Sequence, residues 1–130
     1  MKWTLIIVGG LVALGAILMI IRGEEDTWIK DSRSVWVKHG NPSKTPSQVI
    51  EQQELIQKVL NLYQKAKEQG TDFTNGPCLG TIDSDWVADI AHSPRQDGDD
   101  LPENQCPDFR EGKANHFIEL DPKGEIIKVR

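Results

Sequence analysis

An unbroken apolar run at the start of the chain constrains its fold more than any other feature. The run from Trp3 to Ile21 contains no charged residue, and Lys2 and Arg22 flank it. As a helix rising about 1.5 Å per residue, it would be about 28 Å long, close to the hydrocarbon thickness of a bilayer. Residues 1–23 are therefore predicted to form a transmembrane anchor.

The run is not typical of a cleaved signal peptide. Such peptides have an apolar region of about 7–15 residues that ends in a small-x-small cleavage site. Here the run is longer and ends in Leu18-Met19-Ile20-Ile21-Arg22. We therefore predict a single-pass signal-anchor that contacts the lipid bilayer through residues 3–21.

Two signals give opposite predictions for the side of the membrane on which the rest of the chain lies. Under the positive-inside rule, basic residues behind the anchor place the domain in the cytoplasm, and the nearby ones are Arg22, Lys30, Arg33 and Lys38. A disulfide between the only two cysteines, Cys78 and Cys106, would instead indicate an oxidising compartment. We give the cysteines more weight and predict an extracytoplasmic domain.

The chain behind the anchor is acidic. Because Lys2 and Arg22 are two of the 15 basic residues, residues 24–130 carry 13 basic and 20 acidic side chains, a formal charge of −7. Such a domain repels nucleic acid and anionic headgroups. Nucleic acid is therefore not expected as a partner, whereas a protein or another surface component is.

Residues 24–45 are predicted to form a spacer and a β-hairpin, and residues 46–130 an α+β domain. The apolar stretches 27–30 and 35–38 flank a turn at 31–34. Thr45-Pro46-Ser47-Gln48 then has the capping-box pattern, with proline at the first helical position. Apolar residues recur at helical spacing up to Gly70, which predicts a helix from Pro46 to Gln69.

Strands are predicted at 86–91, 116–120 and 125–129, whereas 76–85 has the composition of turn and loop. The last two strands should pair as an antiparallel hairpin across the turn at 121–124. One long helix packed on an antiparallel sheet is an α+β fold. Because side chains alternate along a strand, Phe117 and Glu119 should point to one face of the sheet and Ile118 and Leu120 to the other, and the face opposite the helix should be partly wet.

The two cysteines are predicted to form a disulfide. Cys78 and Cys106 flank an acidic segment that buries little apolar surface. Closing this loop of about 29 residues lowers the conformational entropy of the unfolded chain, which on the chain-entropy formula stabilises the folded state by about 3.6 kcal/mol. The bond would therefore hold a segment that core packing alone does not.

Two alternatives use the same residues differently. Cys78, His92, Cys106 and His116 supply the ligand types of a tetrahedral zinc site, although no paired ligand motif is present. Cys78 as a nucleophile with His116 as its base would make the chain a membrane-tethered thiol hydrolase. This order is similar to that of small papain-like and cell-wall peptidases, but those families start a helix at the cysteine.

His92 and Arg95 are candidate ligand contacts. They follow a predicted strand, and Arg95 is the only lysine or arginine between the cysteines. It would either neutralise neighbouring aspartates or bind the carboxylate of a ligand. No cofactor is expected.

Several segments together resemble an uncharacterised group of small single-span microbial proteins. They are V-W-V-K-H-G-N-P, G-P-C-L-G, W-V-A-D-I-A-H-S-P-R, L-P-E-N-Q-C and H-F-I-E-L-D-P-K-G. The resemblance implies one domain from about Trp28 to Val129. No activity is known for that group, so it assigns no site residue. The sequence as a whole favours a membrane-anchored extracytoplasmic binding or structural domain stabilised by one disulfide.

Overall fold

The structure is a computed structural model, and it describes residues 26–130. The predicted anchor lies outside these residues. Between residues 26 and 130, no helix has both the length and the apolar character needed to cross a bilayer. The described chain divides into two units, one comprising 26–29 and 37–45 and the other 30–36 and 46–130.

The predicted hairpin is present. Strands β1 (Thr27–Lys30) and β2 (Trp36–His39) pair as a two-stranded sheet. The Asp31 carboxylate fixes the turn between them, because its Oδ1 accepts hydrogen bonds from the backbone N–H groups of Arg33 (2.9 Å) and Val35 (3.1 Å). An aspartate that bonds backbone groups just after it is a standard means of turning a chain.

The long helix α1 spans Ser47–Glu68, one residue shorter at each end than predicted. The predicted capping box at Thr45 is wrong. Pro46 is the N-cap, with an extended backbone (φ −60°, ψ 152°) and no side-chain cap bond. Its carbonyl accepts the first helical hydrogen bonds, from the N–H groups of Val49 and Ile50. Proline thus ends the extended segment instead of starting the helix.

A four-stranded sheet follows the helix. Its strands are β3 (Cys78–Asp83), β4 (Trp86–Ile90), β5 (His116–Leu120) and β6 (Ile126–Val129), in that spatial order. The pairs β3–β4 and β5–β6 are antiparallel, which confirms the predicted closing hairpin, whereas β4 and β5 are parallel. The fold is therefore α+β as predicted, but its sheet is mixed.

Two parts of the sheet differ from the prediction. Residues 76–85 were expected to be turn and loop from their composition, but 78–83 form strand β3. The strand is irregular, with register shifts on both sides of Gly80 and Thr81 and a positive φ at Gly80. The parallel pair arises because the segment 91–115 returns the chain to the starting end of β4. That segment contains two short 3₁₀ turns and the four-residue helix α2 (Pro107–Arg110).

The core lies between α1 and one face of the sheet. Val59 and Tyr63 of the helix pack in a cluster whose other buried members are Phe73, Ala88, Ile90, Ile118, Leu120 and Val129. Val59, Tyr63 and the predicted Val49 are all buried, which confirms the apolar stripe. Burial of this apolar surface is the main contribution to stability.

Helix α1 also binds the segment 33–36, which lies along the outer edge of β6. Gln52 is buried, and its side-chain amide accepts a hydrogen bond from Trp36 N (2.8 Å) and donates one to Ser34 O (3.0 Å). Next to these bonds, Val129 N donates to Arg33 O at 2.9 Å. The edge of β6 is thus occupied at this position by an irregular stretch of chain.

Candidate ligand-binding cleft

The sheet face opposite α1 carries two rows of side chains. Across β4, β5 and β6, Val87 lies beside Phe117, and Phe117 exchanges two backbone hydrogen bonds with Arg130. Two positions along, Asp89 lies beside Glu119, which pairs with Lys128. Alternation along each strand therefore places an apolar row next to a charged row on one face.

An open cleft of about 380 Å³ lies on this face. Its lining residues are Val87, Asp89, Arg95, Gln105, Cys106, Phe109, Phe117, Glu119, Lys128 and Arg130. The ring of Phe109, from α2, meets the ring of Phe117 edge-on at a centroid distance of 5.2 Å. Apolar walls with a few converging polar groups are typical of small-molecule sites.

Asp89 is the unusual residue of the cleft. Its Oδ1 is buried and has no hydrogen-bond partner within residues 26–130. Burial, and secondly the negative charge of Glu119, raise the pKa of Asp89 to about 8. At neutral pH the side chain is therefore mostly the uncharged acid, with one O–H donor and one carbonyl acceptor.

Arg95 joins the loop after β4 to the charged row. Its Nη1 donates to Glu119 Oε1 at 3.0 Å, and its Nε donates to Asp100 Oδ1 at 2.9 Å. The hydrogen bond with Glu119 is the main cause that raises the pKa of Arg95 above its usual value. Lys128 and Arg130, in contrast, form no ion pair with any residue between 26 and 130.

The disulfide between Cys78 and Cys106 is present, as predicted, with the two Cα atoms 4.9 Å apart. It connects β3 to the residue just before α2. Cys106 is buried with Val87 and Ala114 in a small cluster, against which Phe117 packs. Because α2 starts at Pro107, the bond also holds the wall of the cleft that Phe109 forms.

The predicted ligand contacts separate in the structure. Arg95 lines the cleft, whereas His92 bonds to the buried Asp99: its Nδ1 lies 2.8 Å from Asp99 Oδ1, and its backbone N–H donates to Asp99 Oδ2 at 2.9 Å. Gln96 N donates to the same Oδ2 at 3.0 Å. Burial raises the pKa of Asp99, but these backbone and imidazole bonds outweigh it and lower the pKa overall. Asp99 therefore holds the loop that carries Arg95.

The structure brings the two cysteines of these alternatives together as a disulfide but places His116 away from them. Cys78 is bonded to Cys106, and His116 pairs with Trp86 at the opposite end of β4 from Asp89, the partner of Cys78. The His116 ring stacks on Trp86 at a centroid distance of 4.6 Å. Among residues 26–130, no three His, Cys, Asp or Glu side chains are grouped so that they could hold a metal ion.

Of the residues that line the cleft, only Arg95 and Cys106 were singled out from the sequence, Arg95 as a candidate ligand contact. Asp89, Glu119, Phe109 and Lys128 were not proposed as ligand contacts. One signal for Asp89 was available, because it interrupts the otherwise apolar Trp86-Val87-Ala88-Asp89-Ile90-Ala91. A charged residue inside a buried strand needs a partner or a shifted pKa.

Comparisons with known proteins give no indication of the function. No protein-family model, no curated protein and no solved structure matches the chain. The function must therefore be argued from the chemistry of the side chains on this face of the sheet.

Proposed function

We propose that the chain is a membrane-anchored extracytoplasmic domain that binds a small ligand in the cleft formed by β4, β5, β6 and α2. The single observation that carries this proposal is the buried Oδ1 of Asp89, which lacks a partner in the described part of the chain. A buried polar atom left unsatisfied costs about 1–3 kcal/mol. Oδ1 itself has no accessible surface, but Asp89 lines the cleft, so a ligand there would contact the carboxyl group whose hydrogen bonds the described chain leaves incomplete.

The walls of the cleft support binding rather than a purely structural role. Phe109 is 40 % exposed although its ring contacts Phe117. An exposed aromatic ring beside an open cleft gains stability when a ligand covers it. Val87 and Cys106 provide a buried floor, so the cleft already exists without the ligand.

The disulfide and the apolar run support the proposed location. Disulfides persist in oxidising compartments, and Cys78 and Cys106 are bonded. The run from Trp3 to Ile21 has the length and composition of a membrane anchor. A topology reporter fused after Arg130 should report the extracytoplasmic side, and mass measurement without reductant should find no free thiol. A cytoplasmic reporter signal together with two free thiols would contradict this location.

Ligand binding can be tested with the full-length protein in nanodiscs of phosphatidylcholine. A fragment library is screened by saturation-transfer NMR, with empty nanodiscs as the blank. We expect a set of fragments whose signals are lost with Phe109→Ala, which removes one wall of the cleft. They should be retained with Ile50→Ala, a matched change of an exposed apolar residue on α1. If no fragment distinguishes the two variants, the cleft does not bind small ligands.

A further inference from the structure

Resting on the proposed function, we infer that the ligand of the cleft is a small organic acid. Its carboxylate would lie at the row formed by Asp89, Glu119 and Lys128, and its apolar body would contact Phe109 and Phe117. The inference follows from the charges that line the cleft, from the hydrogen-bonding groups left free in it and from its size.

The cleft carries positive charge on an acidic domain. Among its lining residues, Arg95 is neutralised by its bond to Glu119, so that Lys128 and Arg130 remain as unpaired cations within the described chain. The whole of residues 24–130 has, in contrast, a formal charge of −7. Two unpaired cations beside apolar walls favour an anion at this position and disfavour a ligand ammonium group.

Asp89 adds a donor where an anion would bind. Because it is mostly protonated at neutral pH, its O–H can donate to a ligand carboxylate, and such charge-assisted bonds are strong. An ionised Asp89 would repel the same carboxylate. The charged groups that act on Asp89 are Glu119 from β5 and Arg95 and Asp99 from the loop after β4.

The size of the cleft limits the apolar body. A volume of about 380 Å³ lies at the lower end of the range for small-molecule sites, roughly 300–1,000 Å³. This space fits a single aromatic ring or a short alkyl chain joined to the carboxylate. We therefore assign a free small acid as the ligand.

The test compares three acids with their neutral and cationic analogues. Benzoate, 4-phenylbutyrate and octanoate are titrated by calorimetry into the full-length protein in phosphatidylcholine nanodiscs at pH 6.5, with empty nanodiscs subtracted. We expect at least one acid to bind tenfold or more tightly than its primary amide, and its amine not to bind. The acid that binds should weaken at least fivefold between pH 6.5 and 9.5, as Asp89 ionises.

Three variants identify the groups responsible. Lys128→Gln should weaken binding of the acid at least fivefold, whereas Lys58→Gln should not change it, because Lys58 pairs with Asp83 outside the cleft. Asp89→Asn retains a donor but cannot ionise. It should bind the acid within threefold of the unchanged protein at pH 6.5 and lose the weakening at higher pH.

Two results would overturn the inference. The first is that no acid binds more tightly than its amide or amine, and the second is that Lys128→Gln binds as Lys58→Gln does. Fragments that still respond to Phe109→Ala would then preserve the cleft as a binding site for another class of ligand. If no fragment responds to Phe109→Ala either, the proposed function falls together with the inference.

Discussion

The two faces of the four-stranded sheet differ in how they are stabilised, although the same strands form both. On the face toward α1, Ala88, Ile90, Ile118 and Leu120 are all fully buried. On the opposite face, Val87 and Glu119 are also buried, but Asp89 and Phe117 are only partly buried beside the disulfide and one helical turn. The first face therefore supplies stability through close packing, whereas the second is packed less completely and leaves Asp89 and Phe117 partly exposed.

The largest expected effect is a cavity under α1. Ile118→Ala removes a fully buried side chain from the main cluster, and we expect the free energy of unfolding to fall by about 4 kcal/mol. Phe117→Ala, at the next position but on the cleft face, should cost less because its ring is only partly buried. Urea denaturation of both variants measures the difference. Equal losses would show that the cleft face is packed as tightly as the helix face.

The second effect concerns the disulfide. Replacing Cys78 and Cys106 by serine together should lower the free energy of unfolding by about 3 kcal/mol, because the unfolded chain regains the freedom of the closed loop. Hydrogen exchange should increase around α2 while the core strands stay protected. A uniform increase over the whole sheet would mean that the bond supports both faces rather than the cleft face.

The third effect concerns Asp89. Its pKa is raised from 3.8 to about 8 in the folded protein, so the folded state holds a proton that the unfolded state has released. This contribution to stability is complete below pH 3.8 and is lost as the pH rises toward 8. Asp89→Asn cannot lose it. A shift of this size corresponds to about 5 kcal/mol at pH 8, which the partial exposure of the side chain reduces, and the variant should be more stable than the unchanged protein by about 2 kcal/mol.

Thermal denaturation at a series of pH values measures this difference. The two proteins should converge as the pH is lowered toward 4, where Asp89 is protonated in both the folded and the unfolded state. A constant difference from pH 4 to pH 8 would show that the variant acts through something other than the ionisation of Asp89.

The smallest expected effect is at the wall of the cleft. Phe109→Ala should lower the free energy of unfolding by less than about 1 kcal/mol, because 40 % of the side chain is exposed. Its effect on fragment binding should nevertheless be the largest of the variants described here. A large loss of stability would place Phe109 in the core, where it could not also serve as an open wall.

The helix face was predictable from the sequence because its patterns are local. The recurrence of Val49, Val59 and Tyr63 at helical spacing indicated α1, and the alternation of residues 116–120 indicated β5 with its correct bounds. The disulfide was predictable because the chain has only two cysteines. Local periodicity and residue counts are sufficient for these features.

The cleft face was not predictable in the same way because it depends on contacts between distant segments. Residues 91–115 lack a helical or alternating pattern, so nothing indicated that they return the chain parallel to β4. Phe109 reaches Phe117 only through that return, and Asp89 lies beside Glu119 only through the parallel register of β4 and β5. Arg95 was singled out because it is the only lysine or arginine between the cysteines, not because the sequence indicated its position on the sheet.

The chain segment along the outer edge of β6 has a consequence for how a protein partner could associate. At this edge the backbone N–H of Val129 donates a hydrogen bond to the carbonyl of Arg33. At the opposite edge of the sheet, register shifts around Gly80 make β3 irregular. A flat edge with free backbone groups is what β-augmentation requires, and bulges or covering segments are common ways to prevent it. A polypeptide that extended the sheet at β6 would therefore have to displace Arg33 from Val129, and one that paired with β3 would meet an irregular edge, so both edges disfavour strand addition and edge-to-edge aggregation.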